Sequence, residues 1–311
     1  MADVALRLPR ELELKIFREA SMQHPRGIPT LMRVASWVKE SVERLLSGAL
    51  VIIQKPSPDA FPHPDTPFPV LSPEIFDHLV AQSHSRSLIA QLTERLLFGG
   101  WLSESDISAV LQRCPAVHAV TIETHTPTRG AVDLFRQFRA RSRPVDMFSA
   151  LLHLRRLTGN LMLLFGMTLS QSVELSALAR LTHLHLLWHH DPWLWDAVLA
   201  LPALTHLAID TGDRYHEVVQ HDVLSLNRLL DTLSDPHMSL SVFVMAYQRL
   251  AHIPLDERLM EHPACLLFHR GMARMGWPEW QDDWKAGVLC GSGFWERVDE
   301  LAKERRGLLG N

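Results

Sequence analysis

Three cysteines, Cys114, Cys265 and Cys290, are too few and too scattered for a disulfide framework, and no two form a Cys-x-x-Cys pair. Free thiols in this pattern fit a reducing compartment, so the expected location is cytoplasmic or nuclear. No apolar run is long enough to cross a bilayer; the longest, Leu161 to Leu169, is broken by Gly166. The first residues, Met1 to Arg7, lack the apolar core of a secretory signal. A large excess of one charge is missing too. The net charge of −4 gives no bulk attraction to nucleic acid or to an anionic membrane, and neither is an expected partner. The basic run Arg136, Arg139, Arg141 and Arg143 reads as a solvated helix face.

Catalytic signatures are absent as well. The sequence holds no GxGxxG or GxxxxGK[ST] loop and no HExxH helix. Cys290-Gly291-Ser292-Gly293 places Cys where a nucleophile elbow needs Gly. Asp282, Asp283, Glu296, Asp299 and Glu300 read as helical surface carboxylates with no sign of a cleft. The chain is therefore not expected to be an enzyme, and no cofactor is expected.

What the chain does have is a repeat. Leu178-Ala-Arg-Leu181-Thr182-His183-Leu184-His185-Leu186-Leu187 recurs as Leu201-Pro-Ala-Leu204-Thr205-His206-Leu207-Ala208-Ile209-Asp210, an offset of 23 residues. A fixed offset around an L-x-x-L-x-L core is the signature of a leucine-rich-repeat solenoid. One such unit cannot bury its apolar face alone, so neighbours must stack on it. Strand alternation then points Leu184, Leu186, Leu207 and Ile209 inward, and His183, His185, His206 and Ala208 outward. The expected fold is an α/β leucine-rich-repeat-like solenoid of about six or seven parallel strands, by strand–helix alternation. A length of 311 residues and 47% hydrophobic content suit a substantial core.

Four segments follow along the chain. Residues 1–54 form a helical segment: a first helix opening at Leu8-Pro9, with Pro9 in its first position, then a second carrying Leu31, Val34, Ala35, Val38, Val42, Leu45 and Leu46, then a short strand over Ala49 to Gln54. Residues 55–74 are a loop or linker, since seven prolines fall between Pro56 and Pro73; a groove-binding PxxP ligand is the alternative. Residues 75–270 are the degenerate solenoid. Its strands are expected at Arg95 to Phe98, Val117 to Ile122, either Leu154 to Leu157 or Asn160 to Leu164, the two repeats, Leu240 to Met245 and Cys265 to Phe268. Its helices are expected at Ile107 to Arg113, opened by the capping box Ser103 to Asp106, at Ala131 to Arg141, at Val173 to Arg180 and at Leu224 to Leu233. Residues 271–311 form a Trp-rich helical cap in which Trp277, Trp280 and Trp284 share a face, followed by an amphipathic helix after Phe294-Trp295.

The opening Leu8-Pro9-x-Glu11-Leu12-x-x-x-Ile16-Phe17, with the Leu31-x-x-Val34 helix and the Leu45 to Ile53 exit, resembles an F-box. That family usually has Trp at the place of Val38, whereas here Trp37 stands one place early. The ending Asp283-Trp284-x-x-Gly287-x-x-x-Gly291-x-x-Phe294-Trp295, the Leu-Thr-His-Leu strands and the step Leu96 to Gly99 are similar to the F-box-like proteins of mushroom-forming fungi. The resemblance implies docking of Leu8, Pro9, Glu11, Leu12, Ile16 and Phe17 on a Skp-type adaptor of a cullin-type ubiquitin ligase. The other reading of these helices is a plain cap on the solenoid.

The expected function is thus a non-catalytic protein–protein interaction protein, an F-box-like substrate receptor for an unidentified protein. The alternatives are a stand-alone scaffold without a ligase link and a histidine-dependent metalloprotein. Partner binding is placed on a concave strand face holding Arg156, His183, His185 and His206. Three imidazoles there could ligate zinc, but these are also the positions a repeat leaves exposed, and no metal site is assigned. Leu207→Ala is expected to cost about 2–5 kcal/mol and His206→Ala about 0.5 kcal/mol or less. Binding at this face is expected to vary with pH between about 5.5 and 7.5.

Overall fold

The structure, a computed structural model, describes residues 8–24, 28–54, 68, 70–81, 91–99, 102–123, 148, 150–160, 175–187, 198–210, 223–235, 239–247, 258, 261–269, 284, 287–288 and 293–309. Nine parallel strands form a single open α/β sheet. They are β1 (Ala49–Ile53), β2 (Val70–Leu71), β3 (Arg95–Gly99), β4 (Ala119–Glu123), β5 (Arg156–Asn160), β6 (His183–Leu187), β7 (His206–Asp210), β8 (Val242–Tyr247) and β9 (Cys265–His269). Their order is β2-β1-β3-β4-β5-β6-β7-β8-β9, so from β3 onward each strand pairs with the next in the chain. This exceeds the expected six or seven. The additions lie at the N-terminal end, where β1 joins the main sheet instead of closing a separate helical segment. The short β2 emerges from the proline-rich stretch to pair with β1.

One backbone device repeats at the six steps from β1–β3 to β7–β8. The amides of Thr182 and His183 both donate to the carbonyl of Arg155, at 2.9 and 3.0 Å, and those of Thr205 and His206 both donate to Thr182, at 3.0 and 2.9 Å. The same double contact joins Arg95 to Gly48, Ala119 to Glu94, Arg156 to His118 and Val242 to Thr205. The threonine of the Leu-Thr-His-Leu motif adds a third donor, since Thr182 Oγ1 donates to Arg155 O at 3.0 Å. A tight turn precedes each of these strands: Leu181 N donates to Leu178 O, and Leu204 N to Leu201 O. Pro202 occupies the second place of the latter turn, where its fixed φ is already suitable.

One sheet face carries the main core. Leu50, Leu96, Val120, Leu157, Leu184, Leu207, Phe243 and Cys265 make one continuous cross-strand row within it. Helices pack over this face: α4 (Pro73–Ala81) through Phe76, α5 (Glu104–Arg113) through Ile107, Val110 and Leu111, and α6 (Val223–Ser234) through Leu229 and Leu230. The expected capping box on α5 is present, with Ser103 and Asp106 each bonding the other's backbone amide. Burial pushes the thiols of Cys114 and Cys265 up to about 12, so neither supplies a thiolate near neutral pH.

Three sequence expectations change. The second helix splits into α2 (Ile28–Leu31) and α3 (Ser36–Ser47), and Val34 lies exposed between them. Strand β5 straddles both competing segments, because Gly159 is a paired strand residue and not a separator. The stretch expected to be helical before β6 is a single 3-10 turn over Leu175–Leu178. The helix expected over Ala131 to Arg141, together with Trp277 and Trp280, lies outside the described residues. Among those described, no helix is long and apolar enough to cross a membrane.

Candidate functional site

The N-terminal helices have a small core of their own. α1 (Arg10–Gln23) packs on α3 through Phe17 and Trp37, whose rings meet edge to face at 5.5 Å, over the buried Val38 and Val42. Trp37 thus serves this core from one place before Val38. Pro9 is the residue before the first turn, one place earlier than expected, and its carbonyl accepts from Leu12 N at 2.9 Å. Pro9 and Glu11 are exposed. Leu12 and Ile16, four apart on one side of the helix, are 48% and 52% exposed, and Leu8, just before it, 51%. Of the six residues picked from the sequence, Phe17 turns inward and the other five face solvent.

The second candidate surface is the sheet face opposite the core. It carries the row Ala49, Arg95, Ala119, Arg156, His183, His206 and Val242, and beside it Leu97, Thr121, Thr158, His185, Ala208 and Val244. The histidines alternate with the core leucines as their spacing predicts. They do not face solvent. A C-terminal helix, α7 (Phe294–Leu309), lies over them. His185 is only 5% exposed, with its ring stacked on Phe294 at 4.7 Å. His183 and His206 stack on each other at 4.2 Å, and Trp295 meets both rings edge-on.

Polar contacts fix the helix in place. Arg156 Nη1 donates to Glu296 Oε1 at 2.6 Å, and His206 Nε2 lies 2.8 Å from Asp299 Oδ1. When neutral, the His206 ring faces the carboxylate with its proton on Nε2, and its Nδ1 lies 2.8 Å from the Thr205 hydroxyl, which also donates to Thr182 O at 3.1 Å. Burial, then His206 and Arg156, press the His183 pKa down to about 3. Burial also lowers His206, and Asp299 only partly offsets it. His183 therefore stays neutral across pH 5.5–7.5, and His206 is shifted in the same direction, unlike the rings of an open histidine patch.

Glu296 and Asp299 are therefore not the idle surface carboxylates of the sequence reading. Burial works against the Glu296 charge, but the bond from Arg156 and its own backbone amide prevail and lower its pKa. The signal that could have found them is the spacing Trp295, Val298, Asp299, Ala302 on one helix side. Asp299, and not His185, completes the only triad among the described residues with metal-ligand chemistry: His183, His206 and Asp299 offer atoms within 4.8 Å of one another. Their parallel imidazoles, only 7° apart in plane and each held at Nδ1 by its threonine, aim side by side instead of converging. As built, the group is a clamp. Comparison with protein-family models and with curated proteins gives no match to this chain.

Proposed function

We propose that the protein is a non-catalytic interaction protein whose N-terminal helices dock on a partner, as an F-box-like receptor docks on the Skp-type adaptor of a cullin-type ubiquitin ligase. In this reading the sheet is a leucine-rich-repeat-like solenoid, with α1 to α3 as a docking module at its N-terminal side and the Trp-rich C-terminal residues as its closing element. The observation that supports it most is the apolar pair Leu12 and Ile16, about half exposed on a helix whose other side already has its own core, with the exposed Leu8 just before that helix. A solvated helix face is normally polar, and an apolar stripe at i, i+4 spacing suits a helix-in-groove or helix-bundle contact.

The test is a binding assay between the purified full chain and a fungal Skp-type adaptor. A complex lost in Leu12→Asp and Ile16→Asp, with the melting temperature unchanged, is the expected result. Exposed positions tolerate substitution within about 0.5 kcal/mol, so loss of binding without loss of fold is readable. Absence of any complex with the unaltered chain removes the ligase link and leaves a stand-alone recognition protein.

A further inference from the structure

Midway along the covered face, a cavity of about 100 Å³ opens partly to solvent between the sheet and the C-terminal residues. Its floor is formed by β3 to β6 and its roof by Trp284, Gly287 and the first turn of α7. Two guanidinium groups reach it, Arg95 from β3 and Arg156 from β5, with only Ala119 between them in the row. Arg156 is satisfied by Glu296. Arg95 is half-buried and has no hydrogen bond or ion pair among the described residues. A cation withdrawn from water beside a second cation is costly unless an anion meets it. Burial and Arg156 both disfavour its charge, while Glu296 and the exposed Glu94 only partly compensate.

A second observation points the same way. Thr121, 8% exposed, lines the cavity, and its hydroxyl has no hydrogen-bond partner among the described residues; nor has that of its cross-strand neighbour Thr158. Unpaired hydroxyls that line a cavity are free to donate to a group held in it. α7, a helix of 16 residues, starts at the same cavity and adds the positive end of its dipole. Gly287 gives the roof its close approach. A Cβ there would stand 3.2 Å from Gly293 Cα, closer than side chains usually come, and in ordinary contact with Arg95 Nη1 at 3.7 Å.

We propose that this cavity binds a small tetrahedral oxyanion, free or as the end of a phosphate monoester, with Arg95 as its charged anchor and the Thr121 and Thr158 hydroxyls as donors. The cavity has room for several waters, and so for one such group. The site stands apart from the N-terminal docking surface, and either reading survives failure of the other.

Calorimetric titration of the full chain with inorganic phosphate at low ionic strength, against chloride at matched ionic strength, tests it. Saturable one-to-one binding and a rise in melting temperature that chloride does not produce are expected. Arg95→Met should weaken binding at least tenfold, while its melting temperature in chloride stays level or rises, because a repulsion with Arg156 is relieved. An arginine needed only for the fold would lower it. Titration with phosphoserine separates the two sources: tighter binding than phosphate identifies a monoester, and equal or weaker binding a free ion. Absence of saturable binding by both, or undiminished binding in Arg95→Met, overturns the proposal. Where Arg95→Met fails to fold, the isosteric Thr121→Val decides, with a several-fold loss expected and unchanged affinity overturning it.

Discussion

The two faces of the sheet are built on different principles. On the core face the row from Leu50 to Cys265 is apolar at every strand. On the other face the row is apolar only towards its ends. Ala49, Val51, Ile53 and Leu97 lie at one end under Phe68, Trp284 and Val288, and Ala208, Val242, Val244 and Leu266 at the other under Trp295, Val298 and Ala302. Between them stand Arg95, Arg156, His183 and His206, met from above by Glu296 and Asp299. Each repeat settles the first face for itself. The second is settled by the match between the sheet and one distant segment, so its residues are to be read in pairs with their cover.

Paired substitutions separate the faces. Trp295→Ala is expected to cost about 3–5 kcal/mol and Leu207→Ala about 2–5 kcal/mol, both measured by urea denaturation. Comparable losses mean that α7 is a structural layer. A loss below about 1 kcal/mol for Trp295→Ala, with a normal loss for Leu207→Ala, would make the cover dispensable and the face an open one.

Acid sharpens the contrast, because the covered face carries a buried imidazole where the core row carries only apolar side chains and Cys265. His183 is held down to about 3 in the folded chain, against about 6.5 when unfolded. Its folded pKa is the lower one, so the unfolded chain takes up the proton first. Stability is full above about pH 6.5 and falls as pH drops from there towards 3, at a slope on the order of 1 kcal/mol per pH unit at its steepest. His183→Gln should flatten that slope in melting curves between pH 4 and 6.5, taken at about half-unit steps. Cys265, on the core face, keeps its proton throughout this range.

The smallest effect tests the clamp alone. His206→Ala is expected to cost about 1–2 kcal/mol, since it removes a stacked ring and a hydrogen bond to a half-exposed carboxylate. That replaces the near-neutral outcome expected of a solvent-facing histidine. Asp299→Asn, measured alone and with His206→Ala, gives the coupling; additive losses would show that the contact contributes nothing to the fold.

How much of this was legible depended on range. Leu181, Leu184 and Leu186 declare β6 within a few residues, and the 23-residue offset carries the same reading to β7. Ser103 and Asp106 declare the start of α5 just as locally. Gly159 misled because a glycine between apolar runs reads as a break, whereas here its backbone pairs with Ile122 and Leu186. The two-residue β2 has no period to detect. The cover over the histidines was hidden for a different reason. Its contacts join residues 93 and 140 positions apart, and no window on the sequence spans them.

That long reach has a consequence for the nascent chain. A sheet whose neighbours follow one another can stack as it leaves the ribosome, because each new strand finds its partner already made. Arg156, by contrast, waits through 140 further residues for Glu296. Until then the apolar patches at both ends of the face, each from the time its strands are made, stand open to water and to other chains. The C-terminal helix is the last described element to be synthesised, and its arrival is what closes them. A ribosome stalled shortly before Phe294 would therefore hold a sheet nearly complete in its pairing yet still open on one face, the species in which this chain is most exposed to aggregation and to chaperone capture.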